Sequence, residues 1–155
     1  MLIMQFSSRI SLFNFVFCLL GFIRPVISCP TGCKCRFTQV SCQNLNLRVA
    51  NLTRLSKQLP NETEILYLSD NALEDFSVHL FKNLKNLRTL HLRNNYLRRM
   101  PNNSEMFLPN LREIDLEQNK IETLKASDFI GYKDVRTLYL QFNKINLLPE
   151  RTFVE

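Results

Sequence analysis

The cysteines are the side chains of this sequence with the clearest chemistry. Four of them, Cys29, Cys33, Cys35 and Cys42, lie within fourteen residues, and the fifth, Cys18, stands apart. An even number of clustered cysteines indicates disulfides when the compartment is oxidising. The alternative is a zinc site, but the pattern C-x3-C-x-C-x6-C lacks the paired C-x2-C spacing that structural zinc prefers. We therefore predict two disulfides, and counting cysteines alone leaves three possible pairings.

Residues 1–28 are predicted to be a secretory signal. Arg9 ends a short polar region, and an apolar run of 14 residues follows at positions 10–23. Val26 and Ser28 are small enough for the −3 and −1 positions of a cleavage site. The run is too short to cross about 30 Å of hydrocarbon comfortably, and the alternative is an uncleaved anchor helix. We expect a secreted chain with no membrane span after cleavage.

Catalytic chemistry has little support in the sequence. His91 and Asp115 could be mistaken for part of a catalytic set, but no positioned nucleophile accompanies them. G-x-S-x-G, H-E-x-x-H and P-loop motifs are absent. Beyond the predicted signal the glycines are Gly32 and Gly131, too few for a loop that cradles phosphate. We predict that the chain is not an enzyme and that it binds no cofactor and no metal.

The charge pattern also limits the partners. The formal net charge is +6, and it falls to about +4 once Arg9 and Arg24 leave with the predicted signal. The longest basic run is Arg98-Arg99, so we expect no nucleic-acid partner. A mild, scattered positive charge favours acidic partners such as sulphated glycans only weakly.

The main signal in the sequence is a repeat of 24 residues. Asn71, Asn95, Asn119 and Asn143 are spaced at that interval, and each lies in the frame L-x-x-L-x-L-x-x-N-x-L. The first copy departs from the frame at Thr63, which replaces an aliphatic residue. Self-similarity at a fixed period is typical of solenoids. We place four repeats at about 63–86, 87–110, 111–134 and 135–155, the last incomplete.

Each repeat predicts one short strand, because apolar residues alternate at its centre. The alternating pairs are Leu66/Leu68, Leu90/Leu92, Ile114/Leu116 and Leu138/Leu140. Period two indicates a strand with one face inward. One strand cannot bury its own apolar face, so stacked copies should form a parallel sheet over a continuous core. The repeated asparagine should be structural, since a buried amide can satisfy the backbone groups at the bend after the strand.

With these motifs, residues 29–155 resemble the extracellular leucine-rich-repeat family. The segments CPTGCKC at 29–35 and VSC at 40–42 are similar to the N-terminal cysteine-rich flank of that family. The resemblance implies a flank at 29–60 and repeats at 61–155. It implies an α/β leucine-rich-repeat solenoid, with a curved parallel sheet on the concave side and irregular or short helical segments on the convex side. It also implies a disulfide cap that pairs Cys29 with Cys35 and Cys33 with Cys42.

In this family ligands usually meet the concave sheet, so the outward strand positions form the predicted binding surface. Strands about 4.8 Å apart align these side chains into rows across the sheet. Exposed aromatics beside opposite charges are common in protein-binding hot spots. The alternative is an ordinary solvated face, in which exposed ion pairs contribute about 0–1 kcal/mol. The predicted ligand-binding residues are Tyr67, Ser69, His91, Arg93, Asp115, Glu117, Tyr139 and Gln141.

Three sequons predict N-glycosylation, at Asn51, Asn61 and Asn102. None of them occupies a predicted concave position. Glycans at these sites would solubilise the remaining surface and leave the concave face free.

The fourth repeat is incomplete and is followed by no cysteine flank. The residues expected at this apolar end are Leu138, Leu140, Ile145, Leu148 and Phe153. Uncovered apolar ends and strand edges favour association. We expect a truncated form, a gene fragment or the front of a longer protein, and self-association through this end is the less favoured alternative.

The sequence therefore predicts a non-catalytic extracellular module that binds a protein ligand on its concave face. The alternative is the front of a larger protein, either a matrix haem peroxidase resembling peroxidasins or a receptor ectodomain. Slit-like guidance proteins fit comparably well. A small matrix proteoglycan fits less well, because the Ser-Gly attachment sites are missing.

Overall fold

The computed structural model describes residues 29–146. The predicted signal at 1–28, and the end of the fourth repeat with Leu148 and Phe153, lie outside the described residues. Within 29–146, six short strands form one sheet in chain order. They are β1 (Lys34–Arg36), β2 (Gln39–Ser41), β3 (Ile65–Tyr67), β4 (Thr89–His91), β5 (Glu113–Asp115) and β6 (Thr137–Tyr139). The pair β1–β2 is antiparallel, and the strands from β2 to β6 are parallel.

The core lies behind the parallel strands. The central residues of these strands are in register across the sheet and point inward: Val40, Leu66, Leu90, Ile114 and Leu138. The first four are buried, and Leu138 is half-buried. Every buried aliphatic side chain contributes about 1.5–3 kcal/mol before entropy is subtracted, and each coil covers the apolar face of the next. The predicted leucine-rich-repeat solenoid is confirmed.

The repeated asparagines close the bend after each strand. The Oδ1 atom of Asn95 accepts a hydrogen bond from the amide of Leu73 at 3.0 Å. Its Nδ2 atom donates to the carbonyls of Leu68 and Leu92, each at 3.0 Å. Equivalent bonds surround the other three asparagines. Each amide therefore joins its own coil to the preceding one, which confirms the structural role predicted for these residues.

The cap is continuous with the sheet. Disulfides join Cys29 to Cys35 and Cys33 to Cys42, which is the pairing that the family resemblance implies. Cys35 lies in β1, Cys33 directly precedes β1, and Cys42 directly follows β2. Strand β2 pairs antiparallel with β1 and parallel with β3. Val40 and Cys42 are therefore buried against the first coil.

A helix that the repeat analysis did not predict connects the cap to the first repeat. Helix α1 spans Val49–Ser56 and buries Leu52 and Leu55, with Leu59 buried just beyond its end. The spacing of these leucines is three and four residues, which is the apolar stripe of an amphipathic helix. The signal was present in the sequence, but it falls outside the 24-residue frame.

The convex side carries short helical segments, as the family resemblance implies. Between residues 29 and 146 two 3-10 helices occur there, at Val78–Phe81 and Ala126–Tyr132. The hydroxyl of Ser77 caps the first of them by accepting a hydrogen bond from the amide of His79. The first 3-10 helix packs against α1, so the convex side is also closed over the core.

The second 3-10 helix is tied to the loop of the preceding repeat. Asn103 donates from Nδ2 to the carbonyl of Gly131 at 2.6 Å, and the hydroxyl of Tyr132 donates to the carbonyl of Pro101 at 2.6 Å. Burial raises the pKa of the Tyr132 phenol well above its usual value. The phenol therefore remains a hydrogen-bond donor at any physiological pH, and it holds two neighbouring coils together.

Candidate functional site

The centre of the concave face is a row formed by Tyr67, His91, Asp115 and Tyr139, which the register of β3 to β6 places side by side. We call these residues the central row. The rings of Tyr67 and His91 are stacked, with centroids 4.6 Å apart and planes inclined by 5°. On the other side of His91, Nδ1 lies 3.5 Å from Oδ2 of Asp115. The first three side chains are half-buried by one another, so they form an ordered surface.

The neighbouring row contains an ion pair. Arg93 donates from Nη1 to Oε2 of Glu117 at 3.0 Å and from Nε to Oε1 of Gln118 at 3.1 Å. Asp115 couples the two rows, because its Oδ1 atom accepts a hydrogen bond from the amide of Glu117 at 3.0 Å. Nearly half of the Arg93 side chain is exposed, so the pair adds little stability. Its main effect is to hold the guanidinium in one orientation.

The last strand supplies the accessible aromatic part of this face. Tyr139 is 38% exposed, and Gln141 is also exposed. Within residues 29–146 neither side chain makes a hydrogen bond. Phe142 follows with 75% exposure and a φ of 55°. Asp70, Asn94 and Gln118 have φ values of 58°, 52° and 56° at the same bend, so this left-handed conformation belongs to the repeat and places the Phe142 ring at the surface.

The exposure predicted for Ser69 is wrong, because the residue is only 5% exposed. The strands are shorter than the sequence frame suggested, and β3 ends at Tyr67. In the register of the coils, the short side chain of Ser69 falls between Gln43 and Arg93, which are both longer. A ligand on this face would therefore meet the neighbouring side chains instead. The other seven predicted residues lie at least partly open on the concave face.

The cap adds two residues that the repeat frame missed. Lys34 lies opposite Ser41, and Arg36 lies opposite Gln39, so both extend the rows of the concave face. Both side chains are exposed. Because β1 runs antiparallel to the rest of the sheet, the 24-residue period could not place them. The concave face therefore has basic groups at its cap end.

The face carries acidic groups further along the sheet. Glu113, Asp115 and Glu117 all lie at outward positions of β5 or just after it. Between these carboxylates and the cap lies the Tyr67–His91 stack. The rows thus change from basic to aromatic to acidic, and they end in the aromatic residues of the β6 coil.

Across residues 29–146, no three His, Cys, Asp or Glu side chains gather closely enough to bind a metal ion. No helix in this part of the chain is both long enough and apolar enough to cross a membrane.

The three predicted glycosylation sites are exposed. Asn51 lies in α1, and Asn61 lies in the turn before β3. Asn102 lies on the convex side, where its Oδ1 atom accepts a hydrogen bond from the amide of Ser104. None of them belongs to the concave rows. Glycosylation at these positions stays a prediction.

A sequence profile of the family described as leucine rich repeat matches residues 61–121, 86–145 and 109–155. The overlapping matches cover more than half of the chain and include every repeat strand from β3 to β6. The chain belongs to the leucine-rich-repeat family.

Particular relatives match the repeats over shorter stretches. Leucine-rich repeat-containing protein 3B of Homo sapiens is 39% identical over 70 residues, which are 43% of this chain and 25% of that protein. Decorin of Gallus gallus is 40% identical over 73 residues, which are 44% of this chain and 19% of that protein. The aligned stretch is thus a quarter or less of each of these two relatives.

The fold is also found among solved structures. A chain in the crystal structure of the Drosophila melanogaster SNF/U2A′ complex superposes with a TM-score of 0.56 and 21% sequence identity. The superposition covers 83% of this chain and 74% of that chain. At this identity the likeness shows a shared fold only.

Proposed function

We propose that this chain is a non-catalytic extracellular module that binds a protein ligand on its concave face. The central row carries the proposal. Tyr67, His91 and Asp115 support one another through a ring stack and a 3.5 Å contact, so their conformations are already ordered before a ligand arrives. The entropy cost of fixing these side chains on binding is then smaller than it would be for side chains that are mobile before binding.

The composition of the face favours a protein ligand. Tyrosine and arginine are enriched in binding hot spots, and here Tyr67 and Arg93 are held in place by neighbouring side chains. Tyr139 offers an aromatic anchor with part of its ring open. The basic, aromatic and acidic parts of the face lie in a fixed order, which would select the orientation of a charged partner. Membership of a leucine-rich-repeat family agrees with such a role.

Two observations support an extracellular location. The two disulfides of the cap would persist in an oxidising compartment. The three sequons are all on exposed residues, as glycosylation would require. The proposal holds equally for a secreted chain, for the front of a peroxidasin-like matrix peroxidase and for a receptor ectodomain, since in each the module would supply the binding surface.

The experiment is a binding screen of the secreted chain against purified extracellular domains, followed by measurement of affinity with variants. Tyr67→Ala and Tyr139→Ala should each weaken a true partner by about tenfold or more, as the loss of a hot-spot tyrosine does. The melting temperature should stay close to that of the wild type, because neither ring belongs to the buried core.

The matched control is Ile130→Ala, which removes an exposed apolar side chain from the convex 3-10 helix. This variant should bind like the wild type. Unchanged affinity in both tyrosine variants, or a loss confined to Ile130→Ala, would refute the concave site.

A further inference from the structure

An open groove lies at the edge of the sheet, where the chain turns away after the strands. Its volume is about 470 Å³, and its lining includes Asn44, Asn46, Asp70, Asn94 and Tyr96. This volume is within the range of small-molecule sites. We call it the edge groove. It is separate from the central row, none of whose residues lines it.

The groove exists because one residue in a row is small. The register of the coils places Ala72, Tyr96 and Lys120 side by side, since the amides of Tyr96 and Lys120 donate to the preceding coils at the same position of the repeat. Ala72 has only a methyl group, so a gap opens beside the Tyr96 ring. The Nζ atom of Lys120 lies 4.2 Å from the centroid of that ring. Tyr96 lines the edge groove, and Lys120 does not.

The polar residues of the groove share one backbone conformation and are linked by a hydrogen bond. Asn44, Asp70 and Asn94 have φ values of 54°, 58° and 52°, a conformation that asparagine and aspartate tolerate better than other side chains. They recur at the same bend of successive coils. Asn94 donates from Nδ2 to Oδ1 of Asp70 at 2.9 Å, which leaves the second carboxylate oxygen and the Asn94 carbonyl oxygen as acceptors. The amide of Asn44 adds two further donors and an acceptor.

This set of groups matches a polyhydroxylated ligand. Each hydroxyl can both donate and accept a hydrogen bond, and amides and carboxylates together supply both functions. The apolar C–H face of a sugar ring packs on an aromatic ring, and Tyr96 supplies such a ring in the lining of the groove. Tyr96 is 47% exposed, so a ligand can reach it without a conformational change.

The charge of the lining selects among saccharides. Asp70 is the one acidic side chain among the lining residues, and no basic side chain lines the groove with it. An anionic sugar would be repelled by this carboxylate. We propose that the edge groove binds a neutral oligosaccharide, with one ring on Tyr96 and its hydroxyls hydrogen-bonded to Asp70, Asn94 and Asn44.

The proposal is tested on the full chain by saturation-transfer-difference NMR and titration with chitotriose, N-acetyllactosamine and mannotriose, with a sulphated heparin tetrasaccharide as the anionic comparison. At least one neutral probe should bind, and the heparin fragment should bind more weakly. Ala72→Leu would fill the gap and Tyr96→Ala would remove the platform, so each should lower the affinity at least tenfold. Tyr96→Phe keeps the ring and should stay within threefold of the wild type.

The matched control is Ala50→Leu, which adds the same bulk on the exposed side of α1 and should bind like the wild type. Binding of a glycoprotein is measured before and after enzymatic removal of its glycans. Loss of binding on deglycosylation identifies a protein-borne glycan as the ligand, whereas a site that takes only free oligosaccharides shows no such loss. Absence of binding by all three neutral probes, preference for the heparin fragment, or full affinity in Ala72→Leu would each overturn the proposal.

Discussion

Single amide side chains determine how the coils of this protein are joined. The bend after each strand leaves backbone donors and acceptors away from water, and leaving such groups unpaired is costly. Asn95 bonds to four of them, the amide of Leu73 and the carbonyls of Leu68, Leu92 and Arg93, from a nearly fully buried position. Among uncharged side chains only asparagine and the longer glutamine offer an acceptor together with two donors on one amide, so the residue type follows from the backbone geometry.

Replacing Asn95 by alanine should lower the free energy of unfolding by about 1–3 kcal/mol, because the buried amide of Leu73 would lose its partner. The carbonyls of Leu68 and Leu92 would each lose one of two donors and keep the amides of Asn71 and Asn119. Urea denaturation followed by circular dichroism measures this change. The control is Asn86→Ala, an exposed position whose substitution should stay within about 0.5 kcal/mol. Equal effects of the two substitutions would contradict the structural role of Asn95.

At the scale of elements, the strands repeat closely and the segments between them do not. Each parallel strand is three residues long and has one inward aliphatic residue at its centre. The return segments include α1, two 3-10 helices and irregular turns. The contact between Asn103 and Gly131 shows that neighbouring return segments must fit closely against each other. There the backbones of two coils approach so closely that one position has room only for glycine.

Gly131→Ala should destabilise the protein, since an added Cβ would lie 1.6 Å from the carbonyl oxygen of Asn103. Relief of this overlap requires a backbone shift, and overpacking of this kind costs about 1–3 kcal/mol. Thermal and urea unfolding measure the loss. The neighbouring exposed substitution Ile130→Ala should change stability by no more than about 0.5 kcal/mol. If Gly131→Ala were as stable as Ile130→Ala, the loop at Asn103 would have to be free to move.

At the scale of the whole molecule, stability is distributed along a one-dimensional stack of coils. Each coil buries its apolar side chains against its neighbours, and the extent of this burial differs along the stack. Leu92 and Leu116 in the middle of the stack are fully buried, whereas Leu138 and Leu140 in the last described coil are only half-buried. The disulfide cap covers the first coil. Self-association through the other end of the stack stays a prediction.

Hydrogen exchange should report this gradient. The amides of Arg112 and Arg136 donate matching hydrogen bonds of 2.8 Å to the preceding coil, yet the coil of Arg136 buries less apolar surface. Local opening takes less free energy where fewer apolar contacts are lost, so the amide of Arg136 should exchange at least about tenfold faster than that of Arg112. Heteronuclear NMR after transfer to deuterated water measures both rates. Equal protection would mean that the stack opens as a single unit.

Much of this architecture could be read from the sequence, because the interactions that create it recur at a fixed interval. The asparagines at 71, 95, 119 and 143 and the alternating leucines identify the strands, their inward face and their order in the sheet. Seven of the eight predicted concave residues lie at least partly open on that face. The exception is Ser69, because its burial depends on the length of the side chains beside it in space.

The tertiary structure decided the features that involve residues outside the repeating frame. Lys34 and Arg36 join the concave face only because β1 folds back against β2. The edge groove exists because the small side chain of Ala72 lies beside Tyr96 of the next coil. The close approach of Asn103 to Gly131 likewise depends on two different return segments. Period and residue type therefore determined the strand and its inward face, whereas the sizes of neighbouring side chains in adjacent coils decided which surfaces are open.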